Sequence, residues 1–505
     1  MVKKGLLLGC FILAAVSLSA QRTATIPYNE PYRPQAHFSP KEKWMNDPNG
    51  MVYYKGTYHL FFQHYPAATV WGPMHWGHAV SKDLVHWKQL PIALYPDKLG
   101  YIFSGSVVVD ERNTSGFGTK DKPAMIAIFT HHDPKGEKAG SAKFQNQSIA
   151  YSLDEGLTWT KYKGNPVLKN PGIKDFRDPK VFWYSPGSKW IMSLATKDRI
   201  TFYSSPDLKT WKKESEFGQV LGAHGGVWEC PDLFPLKING KEYWVLLVSI
   251  NPGGPNKGSA TQYFVGHFDG GKFTPIGSQT KWIDFGPDNY AGVTFGNTGN
   301  RKVFMGWMSN WLYANQVPTL KWRNAMTIPR ELSLKLTAGD IWLTSYPVEE
   351  LEKIVAKTIK VDAGLLAKDN NVFSVIKQTP AQYLLKFNTL AIKDYAVILS
   401  NTAGERLIVG FDAKNSRYYI DRTKAGLSTF SKQFAGKSYA PRLSLSPTSN
   451  FELLVDASSV ELFADGGLSS MTGVYFPKKP YTRLSIVNNG MEIEKLQIQP
   501  LKSIW

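Results

Sequence analysis

Cysteine is nearly absent from this 505-residue chain, which has only Cys10 and Cys230. Cys10 lies in an apolar N-terminal segment that predicts a cleavable signal peptide, so the mature chain would keep Cys230 alone. A single cysteine excludes an internal disulfide, even in an exported protein. Stability must then come from burial in a core, which a chain of this length can supply.

Long apolar runs are also missing after the N-terminal segment, so we expect no membrane span. That segment, residues 1–20, carries Lys3 and Lys4 and then a short apolar run. It predicts export, with cleavage near Ala20 and a periplasmic or secreted location. Lipid anchoring at Cys10 is the less favoured alternative, because most of the apolar run follows that cysteine.

Clusters of basic residues are missing too, although the net charge is +18. The lysines are scattered, which indicates a solvated surface rather than nucleic acid binding. Two histidine pairs are weak metal candidates. His75 and His78 are an odd number of positions apart in a predicted strand and should point to opposite faces, and His131–Asp133 predicts a solvated loop. We therefore predict no metal site and no cofactor.

A short turn motif recurs along the first half of the chain. Ser81–Trp87 resembles Ser205–Trp211, Ser152–Trp159 is one residue longer, and Asp269–Phe273 is a shorter fourth copy. Each copy follows a strand-like run, turns at an aspartate and ends on an aromatic residue. Repeats at this spacing predict a β-propeller, although ordinary hairpin turns would leave the same pattern.

The character of the sequence changes after Arg330–Leu332. The first part contains β-branched and aromatic runs bounded by Gly, Pro, Asn and Asp, with few amphipathic helices. A short linking element follows at Tyr346–Ile354. Residues 355–505 then hold many short alternating strands, which favour a β-sandwich. We expect a first domain over residues 30–340 and a sandwich over 355–505.

Three short acidic motifs stand out in the first half: Trp44–Gly50, Phe176–Pro179 and Trp228–Asp232. Each sets a carboxylate among aromatic, proline or glycine residues, which a solvated surface carboxylate does not need. Glycoside hydrolysis uses two carboxylates in contrasting environments, one ionised and one protonated. The motifs predict a pocket that binds a polyol and cleaves it by acid/base chemistry.

Sequence neighbours suggest a task for the two aspartates. Pro48 and the following glycine predict a tight turn that holds Asp47 in extended backbone as a nucleophile. Arg177 should keep Asp178 ionised, so that it can bind hydroxyls and stabilise positive charge in the transition state. An Asx-turn at Asp47 and a local ion pair at Asp178 are the simpler alternatives.

Glu229 lies between Trp228 and Cys230. Apolar neighbours disfavour the charged form of a carboxylate, which suits a general acid. A buried, hydrogen-bonded structural glutamate would give the same local pattern.

Taken together, these motifs resemble glycoside hydrolase family 32, the invertase, inulinase and levanase family. Further matching stretches are Phe103–Ser106, Ala325–Leu332 and Val455–Phe463, in the family's order and over nearly all of the mature chain. One departure is Asn324, where the family often has glycine. Asparagine tolerates left-handed backbone better than most residues, so a turn there can survive.

The resemblance implies an all-β fold, a five-bladed β-propeller carrying the active site and then a C-terminal β-sandwich. It also implies a retaining mechanism in which Asp47 attacks the anomeric carbon of a fructosyl unit. Glu229 would protonate the leaving oxygen and then activate water, while Asp178 binds fructose hydroxyls. Retention places the carboxyl groups of Asp47 and Glu229 roughly 5–5.5 Å apart. The implied substrate contacts are Trp44, Asn46, Gln63, Trp71, Phe103, Ser104, Arg177 and Trp311, with Trp76 a rival to Trp71.

The expected function is therefore exported release of fructose from a fructan or sucrose, without a metal or a cofactor. Three alternatives stay open: an endo-acting levanase, an inverting arabinan-type hydrolase on a related propeller, and a non-catalytic sugar-binding propeller. Linkage preference would depend on loops around Tyr65–Met74 and Asn251–Lys257. The role of the sandwich and the choice between monomer and dimer are open as well.

Overall fold

The computed structural model describes residues 28–362, 364, 370–488, 490 and 492–505. The expected signal peptide and Cys10 lie outside the described residues. Strands dominate, which confirms the predicted all-β class. In the described part the helices are α1 (Pro134–Lys138), α2 (Val372–Ile376) and two 3-10 turns at Ser185–Gly187 and Glu349–Ile354. None of these helices is long and apolar enough to cross a membrane.

The first three sheets are antiparallel meanders, each built mainly from four consecutive strands. Sheet 1 contains β1 (Lys43–Tyr54), β2 (Thr57–Tyr65), β3 (His75–Ser81) and β4 (Trp87–Leu94); sheet 2 contains β5 (Tyr101–Asp110), β6 (Ala124–His132), β7 (Gln145–Ser152) and β8 (Thr160–Lys161); sheet 3 contains β9 (Phe176–Tyr184), β10 (Lys189–Thr196), β11 (Ile200–Ser205) and β12 (Lys212–Phe217).

Two further sheets complete the first part of the chain. Sheet 4 contains β13 (Val227–Ile238), β14 (Lys241–Asn251), β15 (Ala260–Phe268), β16 (Phe273–Pro275) and β17 (Lys281–Trp282); sheet 5 contains β18 (Tyr290–Thr294), β19 (Val303–Met308), β21 (Ala325–Met326), β22 (Arg330–Thr337) and β23 (Asp340–Pro347). The short β20 (Trp322–Arg323) leaves sheet 5 and pairs in parallel with β1.

The remaining described strands form two larger sheets. In order across the first they are β24 (Ile359–Lys360), β34 (Ile493–Pro500), β25 (Tyr383–Thr389), β30 (Ser449–Val455), β31 (Ser459–Ala464) and β32 (Ser469–Val474); across the second they are β29 (Lys437–Pro441), β28 (Arg417–Lys424), β27 (Arg406–Asp412), β26 (Tyr395–Ser400) and β33 (Arg483–Asn488).

Burial patterns explain why these segments are strands. β6 is buried at all nine positions, because both faces of its sheet are covered. In contrast, β26 alternates buried and half-buried residues, as expected for a sheet with one face in the core. One apolar cluster, which includes Leu385, Val397 and Leu462, joins the two C-terminal sheets.

The recurring turn motif lies at equivalent places in four successive sheets. Ser81–Trp87, Ser152–Trp159, Ser205–Trp211 and Asp269–Phe273 each connect the third strand of a sheet to the fourth. In the first three copies the serine hydroxyl donates to the aspartate carboxylate. The tryptophan indole N–H of each donates to a backbone carbonyl. The sequence repeat therefore corresponds to the same structural element, the turn between the third and fourth strands, in each sheet.

Buried ion pairs connect the five N-terminal sheets to the two C-terminal ones. Arg330 on β22 contacts Asp284 at 2.8 Å and also pairs with Glu461 on β31. Arg422 on β28 pairs with Asp288 at 2.7 Å. Because unpaired buried charges are costly, these contacts fix the orientation of the two halves.

Candidate active site

All three predicted carboxylates line one cavity of about 420 Å³. They come from the first strands of three sheets: Asp47 from β1, Asp178 from β9 and Glu229 from β13. The cavity is lined by Asn46, Asp47, Gln63, Trp71, Phe103, Ser104, His132, Glu137, Gln145, Asp175, Arg177, Asp178, Val227, Glu229, Asn251, Trp311 and Asn315.

Asp47 is held by two short polar contacts. The Asn46 amide donates to Oδ1 at 2.9 Å, and the Ser104 hydroxyl donates to Oδ2 at 2.8 Å. The predicted tight turn is wrong, because β1 continues through the motif and pairs with β2 on both sides of it. Its ladder is irregular between Met45 and Pro48, a local distortion that re-aims side chains.

The electrostatic setting of Asp47 is unfavourable for a charge. Burial raises the pKa of Asp47, and the nearby Glu229 carboxylate raises it further. The hydrogen bonds from Asn46 and Ser104 act in the opposite direction. Asp47 is therefore a desolvated carboxylate whose charged form is less stable than that of a carboxylate on the surface.

Asp178 adopts left-handed backbone with φ of 64°. The Cys230 backbone N–H donates to its carboxylate at 3.1 Å. Strained backbone of this kind concentrates at functional sites, where surrounding structure holds it in place. Its side chain is only 5% exposed.

The expectation that Arg177 holds Asp178 ionised is not met. Burial raises the pKa of Asp178 to about 7, even though Arg177 lowers it. The closest Arg177–Asp178 approach is 3.9 Å, whereas Arg177 lies 2.6 Å from Asp175 and 2.9 Å from Glu229. Arg177 therefore pairs with Asp175 and with Glu229, which lies 52 positions away, rather than with its neighbour Asp178.

Glu229 has polar partners on both carboxylate oxygens. Arg177 donates to Oε1, and the Tyr290 hydroxyl donates to Oε2 in a very short contact. The predicted apolar setting is therefore wrong. Trp228 is fully buried, and its indole N–H donates to the Ala223 carbonyl. Its ring does not surround the Glu229 carboxylate, because neighbouring residues of a strand point to opposite faces.

Seven of the eight predicted substrate contacts line the cavity: Asn46, Gln63, Trp71, Phe103, Ser104, Arg177 and Trp311. Trp44 is the exception. It is fully buried, and its indole N–H donates to Asn46 Oδ1 at 2.7 Å. Trp44 thus orients Asn46, which in turn contacts Asp47.

The rivalry between Trp71 and Trp76 is settled by burial. Trp71 is 40% exposed and lies in the cavity wall. Trp76 is fully buried, and its indole N–H donates to the Phe103 carbonyl at 3.0 Å. The exposed ring is the one that can stack on a ligand.

Several residues in or beside the cavity carried no recognisable sequence signal. Tyr290 begins β18 in an apolar run, and its contact with Glu229 spans two sheets. His131 and His132 are buried at the end of β6, so the predicted solvated loop is wrong there. The remaining unpredicted lining residues are Glu137, Gln145, Asp175, Val227, Asn251 and Asn315. Asn251 does belong to a predicted specificity loop.

Within the described ranges, no group of three or more His, Cys, Asp or Glu side chains is placed to hold a metal ion. The Cys230 thiol lies 3.6 Å from both Asp47 and Asp178. Burial and the surrounding carboxylates raise the pKa of Cys230 well above its usual value, so the thiol stays protonated. It can only donate weakly to the two carboxylates.

The site thus contains five carboxylates, Asp47, Glu137, Asp175, Asp178 and Glu229, and the Arg177 guanidinium. Burial and the nearby carboxylates raise the pKa of Asp47 and of Asp178, so these two groups titrate at higher pH than a solvated aspartate. A carboxylate that accepts and another that donates a proton can together cleave an acetal. The amide groups of Asn46 and Gln63 supply both donors and acceptors for hydroxyls.

Two family models cover almost all of the described chain. The model "Glycosyl hydrolases family 32 N-terminal domain" matches residues 37–346. The model "Glycosyl hydrolases family 32 C terminal" matches residues 349–500. The boundary between the matches falls between the last residues of β23 and the start of the 3-10 turn Glu349–Ile354.

Individual relatives agree with the family match. A levanase of Bacillus subtilis is 45% identical over 98% of this chain and 74% of its own length. An extracellular exo-inulinase of Aspergillus niger is 39% identical over 95% of this chain and 96% of its own. The crystal structure of exo-inulinase from Aspergillus awamori superposes with a TM-score of 0.85 at 36% identity, covering 95% of this chain and 100% of that one.

Proposed function

The chain belongs to glycosyl hydrolase family 32, and on this premise we propose that it is an exported enzyme releasing fructose from terminal β-D-fructofuranosides of levan, inulin or sucrose. The observation that carries the proposal is the meeting of Asp47, Asp178 and Glu229 in one cavity from three separate sheets. Relatives named levanase, exo-inulinase and invertase support the substrate class.

Asp47 is the proposed nucleophile. Its carboxylate oxygen bonds to the anomeric carbon of the fructosyl unit while the bond to the leaving oxygen breaks. Glu229 gives its proton to that oxygen, so the leaving sugar departs neutral. The contacts from Asn46 and Ser104 support this role, because they fix the direction of attack.

Water completes the reaction. Glu229, now ionised, takes a proton from a water molecule whose oxygen attacks the same carbon and releases Asp47. Arg177 and Tyr290 are placed to stabilise the ionised form of Glu229 at this stage. Asp178, deep in the cavity, is proposed to bind fructose hydroxyls and, in its ionised form, to balance positive charge in the transition state.

We propose exo action. A cavity of about 420 Å³ accommodates a terminal fructosyl unit and part of the next sugar rather than the middle of a chain. Residues along its mouth, including Trp71 and Asn251, support recognition of the sugar attached to the terminal unit.

The five N-terminal sheets support a five-bladed propeller over residues 30–340. Their first strands, β1, β5, β9, β13 and β18, contact one another in sequence, and β18 contacts β1 again. Such a ring is what a propeller's central channel requires. The two C-terminal sheets with their shared core support a β-sandwich over residues 355–505.

Product analysis tests the function. Incubation with levan, inulin and sucrose should release free fructose alone, and NMR should show the β anomer first, as retention requires. Asp47→Asn and Glu229→Gln should each lower kcat by at least about a thousandfold. Asp121→Asn, at an exposed loop position, serves as the matched control.

The alternatives give different products. A ladder of oligosaccharides would replace exo by endo action, and an inverted first product would contradict the nucleophilic role of Asp47. A wild-type protein that binds these sugars but hydrolyses none would favour a binding module.

A further inference from the structure

A short helical segment brings a further carboxylate to the cavity. Helix α1 lies between β6 and β7, and its Glu137 forms part of the cavity wall. Asp133 caps the helix by accepting from the Lys135 N–H at 3.0 Å, and Pro134 occupies the first turn. Capping and the fixed φ of proline hold this segment in a defined position.

Glu137 lies at the mouth of the cavity rather than at its base. The exposed fraction of the side chain rises from 5% for Asp178 to 19% for Glu229 and 52% for Glu137. The deep carboxylates face the terminal fructosyl unit. A residue at the mouth therefore faces the part of the substrate that leaves.

A hydrogen-bond chain holds Glu137 in place. His132 Nε2 lies 3.1 Å from Glu137 Oε2, and His132 Nδ1 lies 3.3 Å from Gln145 Nε2. Gln145 Oε1 accepts from the Phe176 backbone N–H at 2.8 Å, which fixes the amide orientation. The amide N–H must then donate to Nδ1, so the neutral imidazole carries its proton on Nε2 and donates to Glu137.

His132 is itself fixed by packing. Its ring stacks on Phe103 at 4.2 Å with an interplanar angle of 10°. Burial lowers the pKa of His132 from its usual value, which agrees with a neutral ring. The hydrogen bonds from Gln145 to His132 and from His132 to Glu137 therefore fix the orientation of the Glu137 side chain.

We infer that Glu137 binds hydroxyl groups of the leaving sugar and selects neutral leaving groups over anionic ones. The inference rests on the proposed function. One carboxylate accepts hydrogen bonds from two hydroxyls, a pattern that suits a polyol. It repels a phosphate on the leaving sugar, and the cavity around it already holds more carboxylates than cations.

Steady-state kinetics with two leaving groups tests the inference. The substrates are sucrose and sucrose phosphorylated on its glucose unit, which present the same fructosyl group. In Glu137→Gln the ratio of kcat/KM for sucrose to that for the phosphorylated form should fall about five- to tenfold. High salt should lower the same ratio in the wild type, because a half-exposed charge is screened.

Two further variants distinguish the effect of the Glu137 charge from the effect of the position of its side chain. Glu155→Gln removes an exposed glutamate that does not line the cavity, and it should leave the ratio unchanged. His132→Phe keeps an aromatic ring but removes the donor that orients Glu137, and it should lower the ratio by a smaller factor, with an altered KM for sucrose. His132 is thus a positioning residue.

The outcomes are distinguishable. If the wild type hydrolyses sucrose and the ratio does not change in Glu137→Gln, the inference is overturned while the proposed function stands. An aryl β-fructofuranoside, whose leaving group has no sugar hydroxyls, provides a second control. If the Glu137→Gln substitution lowers kcat/KM for the aryl substrate as much as for sucrose, Glu137 acts on the fructosyl site and the inference is also overturned. If the wild type hydrolyses no β-fructofuranoside, it is the proposed function that fails.

Discussion

At the scale of single residues, the partners of each carboxylate differ in kind. Asp47 receives neutral donors, an amide and a hydroxyl. Glu229 receives a guanidinium and a phenol. The neutral donors orient Asp47 for attack, and the guanidinium and the phenol can bind the Glu229 oxygens after that group has given up its proton.

Tyr290→Phe removes the hydroxyl that donates to Glu229. Hydrogen bonds to charged groups contribute about 1.5–3 kcal/mol, so kcat/KM should fall roughly ten- to a hundredfold. Initial rates on sucrose measure the change. Tyr95→Phe, at an exposed ring, is the control. Equal activity of Tyr290→Phe and wild type would mean that the hydrogen bond from Arg177 is sufficient for the function of Glu229.

At the scale of elements, the irregular ladders decide where side chains point. β5 changes register with β6 between Ile102 and Gly105, directly beside Ser104. A Cβ at Gly105 would overlap the Ile128 carbonyl oxygen of β6. Glycine here permits close approach of two strands, and that approach sets the position of Ser104 against Asp47.

Gly105→Ala should therefore separate β5 from β6. We expect a loss of about 1–3 kcal/mol in the free energy of unfolding, together with lower activity because Ser104 moves. Denaturant unfolding and sucrose hydrolysis measure the two effects. Gly436→Ala, where an added Cβ meets open space, is the matched control. A stable, fully active Gly105→Ala would show that the strands tolerate the shift.

Asn324 occupies the turn between β20 and β21 with φ of 70°, which confirms the expected left-handed backbone. Its side chain donates to the Met45 carbonyl at 3.0 Å and accepts from Ser309 at 3.2 Å. Asn324→Ala should destabilise the protein more than Asn324→Gly, since only alanine adds left-handed strain of about 1–2 kcal/mol. Thermal unfolding of both variants measures the difference. Equal destabilisation of the two variants would mean that loss of the amide contacts, not backbone strain, dominates.

At the scale of the whole molecule, buried charges link the chain's beginning, middle and end. His37 contacts Asp456 and Glu461, each at 2.7 Å. Burial lowers the pKa of His37, but these two carboxylates outweigh it and raise the pKa to about 9. Burial likewise opposes ionisation of Glu461, yet Arg330 and His37 lower its pKa to about 2.

These shifts predict a stability maximum in mildly acidic solution. Because the folded pKa of His37 exceeds the unfolded value of 6.5, its contribution is complete below pH 6.5 and is lost as pH rises through about 9. The loss should amount to about 3 kcal/mol. The contribution of Glu461 is present above its unfolded pKa of 4.5 and disappears as pH falls through about 2.

His37→Gln tests this linkage. The variant should be less stable at pH 6 and should lose much of the decline in melting temperature between pH 6.5 and 9. Calorimetry across that range measures both effects. His86→Gln, at an exposed histidine, is the control. An unchanged alkaline decline in His37→Gln would assign it to other groups.

The sequence by itself determined the all-β class, the family and the identity of the three carboxylates. Strand periodicity, turn chemistry and short motifs depend on residues that are close in sequence, so they can be recognised without the structure. Seven of the eight residues that the family resemblance named as substrate contacts line the cavity.

Only the tertiary structure decided how those groups are paired. Arg177 pairs with Glu229 rather than with Asp178. Trp44 orients Asn46 instead of facing the cavity. Tyr290 donates a hydrogen bond to Glu229 from another sheet. Adjacent residues of a strand point to opposite faces, so sequence neighbours are poor guides to partners. Contacts between sheets depend on how distant strands pack, and no local pattern records them.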